Sequence, residues 1–311
     1  APTAYVTIGR CLPERLQPRM LAMLSTAWVV PGILGPSLAA VVGELAGWRW
    51  VFLGLIPLLA VAGGLALNAL RHVPAAARPA AGDEPRSRGD LRRLGAALAA
   101  AAGAGLLVDR LGAVDPLVLV AGAVLGIAIL LPAYRWLTPP GTLRLAEGVP
   151  AAVFLRGLMT FSFFAADAYI ALLLQTWRGT PLALTGVVFT VTTIAWTLGT
   201  WLQARRIDHF GPRRFVALGF ACIAVGGLLT LPVVAGAPPE LTIVTWAIPG
   251  IGMGFMFSAV TLVVLRGVEE TEQGSASSSL QLSDILGTVL GTWVAGAFIA
   301  AGTRPGPEGL G

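Results

Sequence analysis

The stretch Met20–Gly43, MLAMLSTAWVVPGILGPSLAAVVG, runs for twenty-four residues without a charged side chain. A helix of about 20 apolar residues is long enough to cross the hydrocarbon core of a bilayer. Two prolines and two glycines lie within six residues of the stretch, from Pro31 to Pro36, and they would break a helix in water. In hydrocarbon a segment must satisfy its own backbone polar groups, so the helix persists across such residues. The stretch therefore predicts a bent helix that spans a membrane.

Eight further apolar stretches follow along the chain, and links that carry arginine separate them. The nine predicted spans are 20–43, 51–70, 94–111, 115–134, 149–174, 183–203, 215–236, 241–265 and 276–302. Hydrophobic residues make up 56% of the chain and charged residues 12%, which is too little charge for the surface of a soluble domain of this length. We therefore predict an all-α, polytopic helical membrane protein, with the lipid bilayer as its first partner.

The arginines predict how the chain is oriented in the membrane. All 21 basic residues are arginine. Seventeen of them fall on one side of the predicted spans, and Arg156 is counted in this group. The other four lie on the opposite side. Arginine-rich links stay in the cytoplasm, so we expect a multi-pass protein of the bacterial plasma membrane with its long connector, residues 71–93, in the cytoplasm. Because the arginines form no single basic face, nucleic acid is not expected as a partner.

Small residues of the first span recur at every fourth position and form two neighbouring stripes. These stripes are Gly35, Ala39 and Gly43, and beside them Gly32, Pro36 and Ala40. Close packing of a neighbouring helix is one interpretation of such stripes. The order of these residues, followed by Trp48–Phe52, also resembles the antiporter motif of the fifth helix in the major facilitator superfamily, which is characteristic of drug:proton exporters. The stretch departs from that motif by having Pro31 in place of a glycine and Ala39–Ala40 in place of paired glycines.

A second resemblance lies at Arg205–Arg214, RRIDHFGPRR. Its Asp208, Gly211, Arg213 and Arg214 match the cytoplasmic loop signature of the same superfamily. Gly211 permits a tight turn, and Asp208 can pair with an arginine or cap a helix end. The resemblance implies a loop that latches two helix ends in one conformational state. The alternative is a surface loop that carries arginine only because of the orientation bias.

A third resemblance covers Glu269–Gly296, which is similar to the eleventh helix of bacterial exporters. Together the resemblances cover residues 1–302 and imply the two-bundle fold of the superfamily, in its fourteen-helix branch of drug:proton antiporters. The implied domains are the end of the N-terminal bundle (1–70, part of helix four with helices five and six), the connector (71–93), two additional central helices (94–148) and the C-terminal bundle without its last helix (149–311). The chain is then a fragment that also lacks the first three to four helices.

Polar residues inside the spans are costly and therefore candidates for function. Ser277, Gln281, Asp284, Thr288 and Thr292 share one face of the last span and are expected to line a cavity. A neighbouring face of small residues is expected to pack against another helix. Its members are Ser279, Ser283, Gly287, Gly291 and Ala295.

Two aspartates inside the spans are the candidates for carrying a proton. Asp167 lies in an aromatic stretch with Phe163 and Phe164, where apolar surroundings penalise an ionised carboxylate. Asp284 has Gln281 and Ser283 as near neighbours, so we expect it to be an ordinary residue in interhelical hydrogen bonds. Asp167 is therefore predicted to be the coupling acid, and pairing with another helix is the alternative role for it.

The resemblance implies secondary active transport, with proton-coupled export of small amphipathic or cationic compounds. Uptake or facilitated diffusion is an alternative, and so is a membrane scaffold or sensor that transports nothing. An enzyme is not expected, because both histidines, His72 and His209, lie in predicted links and no phosphate-binding loop occurs. No cofactor or metal is expected.

Overall fold

The computed structural model describes residue 8 and residues 12–13, 15–24, 26–27, 42, 45, 47–71, 86–111, 116–269 and 271–302. The antiporter-like residues Gly32, Gly35, Pro36, Ala39 and Ala40 lie outside the described residues, as does most of the predicted span 20–43. Residues 72–85 of the predicted connector lie outside them too. The described residues form helices, turns and short links.

The chain divides into two compact units, of which the smaller is Val30–Arg92. Within it, α1 (Trp48–Leu53) and α2 (Leu55–Arg71) are separated by Gly54. The described side chains of α2 are exposed and mostly apolar, as in a helix whose surroundings are not water. At 17 residues, α2 is shorter than the predicted span 51–70, because the helix is interrupted at Gly54.

The larger unit comprises Ala1–Val29 and Arg93–Gly311. The helices that follow α2 are α3 (Arg86–Leu111), α4 (Pro116–Leu137), α5 (Val149–Leu172), α6 (Leu182–Phe210), α7 (Pro212–Val234), α8 (Thr242–Arg266) and α9 (Gln273–Gly302). Among the described residues, seven helices are long and apolar enough to cross a membrane, and they correspond to the last seven of the nine predicted spans. This part of the span prediction is confirmed.

Three helix ends differ most from the prediction. The helix α3 begins at Arg86, eight residues before the predicted start at 94, so residues 86–93 of the predicted connector are helical. The helix α5 continues through a π-helical turn, Leu173–Trp177, where the span was expected to end at residue 174. The helix α6 extends to Phe210, seven residues beyond the predicted end at 203, so Arg205, Arg206 and Asp208 are helical. Arginine and glutamine favour a helix, and nothing stops α6 until Gly211, whose φ of 74° suits glycine. The expected loop is therefore reduced to this glycine.

The helix α8 is the centre of the larger unit and packs against α5, α6, α7 and α9. Small residues allow this close approach. A methyl group on Gly254 would collide with the carbonyl oxygen of Trp196 on α6, and one on Gly252 would lie 2.6 Å from that of Gly219 on α7. The core around α8 contains Trp246, together with methionines and valines that are fully buried.

The helix α9 packs mainly against α5. A methyl group on Gly287 would collide with the carbonyl oxygen of Gly157, and one on Gly291 would collide with that of Phe161. Ser283 is also buried on this side. The predicted packing face of small residues on the last span is confirmed at these positions.

The helix ends meet in the alternating order that the span prediction requires. At one end, Asp208 at the end of α6 lies beside Arg266 at the end of α8. At the other end, Arg178 donates hydrogen bonds of 3.0 and 2.9 Å to the carbonyl oxygens of Gly236 and Ala237, after α7. Those carbonyls follow the end of α7 at Val234, and a cation is favoured near a helix C-terminus. Residues 208 and 266 therefore belong to one end of the unit, and residues 178 and 236 to the other.

Candidate coupling site

Asp167 lies on α5 and is half-buried. The indole Nε1 of Trp246, on α8, donates a hydrogen bond of 2.8 Å to its Oδ1. Trp246 is 2% exposed, and its ring stacks on Phe163, one turn before Asp167, with centroids 5.8 Å apart. Phe163 also contacts Phe164 edge-on at 5.1 Å. The carboxylate is thus held by a neutral donor at the edge of an aromatic cluster.

Asp167 has no arginine within ion-pair distance among the residues that the structure describes. The predicted aromatic surroundings are present, but sequence reasoning missed Trp246. The tryptophan is 79 residues away in the chain, and nothing in its local sequence marks it as a partner of an aspartate.

Asp284 accepts an interhelical hydrogen bond, and its partner is a charged residue on another helix and not Gln281 or Ser283. Its Oδ1 accepts a hydrogen bond of 3.1 Å from Nε of Arg156, on α5. The hydroxyl of Ser283 instead lies 2.8 Å from that of Tyr134, on α4. The two charges of Arg156 and Asp284 neutralise each other between α5 and α9.

Arg156 is 1% exposed, so its place among the arginines of the cytoplasmic links was wrong. Its Nη1 donates hydrogen bonds to the carbonyl oxygen of Phe257 at 3.1 Å and to the hydroxyl of Thr261 at 3.2 Å. The guanidinium also lies 3.3 Å from the centroid of the Phe257 ring. A buried charge needs such compensation. The signal in the sequence was its position seven residues inside the predicted span 149–174.

The two aspartates occupy separate places in the unit. A series of ring contacts connects their surroundings, from Trp246 to Phe163, then to Trp196 at 5.8 Å, and then to Phe257 at 5.5 Å. Aromatic rings do not carry protons, so this series of contacts does not link the two carboxylates. The aspartates form two sites with different partners, a neutral indole for Asp167 and an arginine for Asp284.

The other residues of the predicted polar face have unequal surroundings. Ser277 is fully buried, and its hydroxyl has no hydrogen-bond partner among the described residues. Gln281 and Thr288 are half-buried. The hydroxyl of Thr288 donates to the carbonyl oxygen of Asp284 on its own helix, at 2.9 Å. In this conformation Ser277 faces protein and not an open cavity.

The residues of the loop signature lie at the end of the bundle. Oδ1 of Asp208 is 3.9 Å from Nη1 of Arg266, and the aspartate side chain is 73% exposed. Gly211 and Arg266 line the same small pocket of about 270 Å³. Arg213 and Arg214 are exposed on the first turn of α7. The loop signature thus places Asp208 beside Arg266 at the end of α8, where the two form a solvent-exposed ion pair.

No group of three histidine, cysteine, aspartate or glutamate residues in the described part of the chain could hold a metal ion. The site consists of one ion pair and one separate aspartate inside membrane-length helices, and charged residues there are typical of proteins that move solutes or ions across membranes.

Comparison with known proteins identifies the family. Residues 152–305 match the family model described as Major Facilitator Superfamily. The chain is 26% identical over 296 residues to the Methylenomycin A resistance protein of Bacillus subtilis (strain 168), which covers 93% of this chain and 62% of that protein. It is 30% identical over 146 residues to the uncharacterized MFS-type transporter YfiU of the same organism, over 47% of this chain and 28% of that protein. The chain spans less than two thirds of the length of either relative.

These features define a polytopic helical membrane protein. Residues 152–305 of the chain belong to the Major Facilitator Superfamily, whose members are transporters and not enzymes.

Proposed function

We propose that the complete protein exports small amphipathic or cationic compounds across the plasma membrane in exchange for protons. Asp167 is the residue that carries the proton. The similarity to a protein named for resistance to methylenomycin A supports export as the direction. The arginine bias supports an orientation with residues 71–93 in the cytoplasm.

The different partners of the two aspartates are the observation that carries this proposal. The carboxylate of Asp284 forms an ion pair of 3.1 Å with the buried Arg156. Asp167 has only the neutral indole of Trp246 as its hydrogen-bond donor in the described residues. A carboxylate without a neighbouring cation can be neutral in one conformation and ionised in another, which is what proton coupling requires.

The domain organisation is part of the proposal. Residues 1–70 belong to the N-terminal bundle, 94–148 are two additional helices, and 149–311 belong to the C-terminal bundle. The two bundles rock to expose a site between them alternately to each side. Asp208 and Arg266 latch helix ends in one of these states.

Uptake into everted membrane vesicles that contain the complete protein tests this function, because the cytoplasmic side of such vesicles faces outward. With a proton gradient imposed, a fluorescent lipophilic cation is expected to accumulate in the vesicles, and a proton ionophore is expected to release it. Equilibration without accumulation would indicate facilitated diffusion. No difference from vesicles that lack the protein would favour a scaffold or sensor.

A further inference from the structure

A groove of about 530 Å³ lies between α3, α4, α5 and α9, and neither aspartate lines it. Its walls are leucine, isoleucine, phenylalanine and small residues, with Leu130 and Leu131 on α4, Phe161 on α5, and Leu286 and Leu290 on α9. All four helices have the length and composition to cross a membrane. The groove therefore lies at the depth of the hydrocarbon.

Polar groups occur at one end of the groove only. Tyr134 and Ser283 are the two polar side chains in its lining, and their hydroxyl oxygens lie 2.8 Å apart. Because these hydroxyls bond to each other, the groove offers little to a polar solute. A ligand of this surface has to be apolar along its whole buried length.

The dimensions of the groove match an acyl chain. From Ser283 to Val294 its wall follows α9 for eleven residues, which is about 16 Å at the rise of an α-helix. One leaflet of a bilayer has a hydrocarbon thickness of about 15 Å. The groove runs along the membrane-length helices, and therefore in the direction of the lipid chains.

The end with the two hydroxyls carries features of the membrane interface. Arg135 follows Tyr134 directly and is exposed, and Trp136 is 53% exposed. Exposed tryptophan is typical of the headgroup layer, and arginine there attracts the phosphate of an anionic lipid. A lipid phosphate at Arg135 places its acyl chain beside Tyr134 and Ser283, at the mouth of the groove.

We propose that this groove binds one acyl chain of an anionic phospholipid, with the phosphate at Arg135 and the chain terminus near Ala123 and Val294. The lipid fills the space between the pair α3–α4 and the bundle of α5 and α9. This site is independent of the proposed transport function.

Photolabelling of the chain in lipid nanodiscs tests the proposal. Two phosphatidylglycerols are used, one with a diazirine near the carbonyl carbon of its acyl chain and one with a diazirine near the terminal methyl. The first is expected to label peptides that contain Tyr134 and Ser283, and the second those with Ala123 and Val294. The comparison between the two diazirine positions can be made on the parent protein, without any substitution. Equal labelling of all lipid-facing helices would overturn the proposal. The absence of labelling in the groove, as expected if protein occupies it, would overturn it too.

Two variants separate the groove from the headgroup site. Ala123→Phe fills the groove and is expected to lower labelling by the terminal diazirine several-fold. Ala121→Phe is the matched control, because Ala121 is exposed on the same helix and does not line the groove. Arg135→Gln is expected to reduce the preference for phosphatidylglycerol over phosphatidylcholine about fivefold. Unchanged labelling in Ala123→Phe, or an unchanged lipid preference in Arg135→Gln, would contradict the assignment.

Discussion

Arg156 and Asp284 are 128 residues apart in the chain and form an ion pair of 3.1 Å between α5 and α9. The arginine is 1% exposed and makes two further hydrogen bonds to α8. This single side chain therefore connects three helices. The charge compensation explains how an arginine is accommodated inside a span of the membrane.

Removing one member of this pair is expected to destabilise the larger unit. Asp284→Asn leaves the guanidinium of Arg156 buried without its counter-ion, at a cost of about 3–5 kcal/mol. The measurement is thermal unfolding of the complete protein in detergent. The double variant Arg156→Gln with Asp284→Asn is expected to be more stable than Asp284→Asn alone, because no unpaired charge remains. A single variant as stable as the parent would show that the pair is not needed.

The packing of α8 against α6 is expected to depend on Gly254. In Gly254→Ala the methyl group meets the carbonyl oxygen of Trp196, which forces the helices apart and costs about 1–3 kcal/mol. Gly227→Ala on α7 is the matched control, since the structure leaves open space at that position. The same unfolding measurement applies. Equal stability of both variants would argue against close packing at this crossing.

The pair of Asp208 and Arg266 is expected to affect transport rate more than stability. An exposed pair at 3.9 Å contributes less than about 1 kcal/mol to folding. Asp208→Asn is therefore expected to insert and fold as the parent does, while exchange between conformational states slows. Arg266→Gln is expected to have the same effect, and the double variant is expected to be no slower than either. Turnover at the parent rate in Asp208→Asn would favour the alternative of an ordinary surface charge.

The hydrogen bond from Trp246 is expected to matter for coupling. Trp246→Phe keeps the aromatic ring beside Phe163 but removes the N–H that Asp167 accepts from. Uphill export by the complete protein is expected to fall several-fold, with exchange at equal pH less affected. Trp196→Phe is the control, because it alters the same cluster without contacting the carboxylate. Equal losses in both variants would assign Trp246 a packing role only.

The last seven spans were predictable from sequence because length and apolar composition suffice to recognise a membrane helix. The small-residue face at Gly287 and Gly291 was predictable too, since its spacing follows from the helical period. The partners of the charged residues were not predictable. Asp284 finds Arg156, and Asp167 finds Trp246, on other helices. Packing across the whole unit decides which helices become neighbours, and the local sequence around a residue does not indicate its partner on another helix.

The central claim, that Asp167 carries the proton, is tested most directly in proteoliposomes of the complete protein. Asp167→Asn keeps the side-chain volume and removes the titratable group. Uphill export of a lipophilic cation in an imposed pH gradient is expected to be lost, while exchange at equal pH persists. Glu240→Gln, an exposed carboxylate between α7 and α8, is the control and is expected to retain both activities. Uphill export at the parent rate in Asp167→Asn would contradict the account.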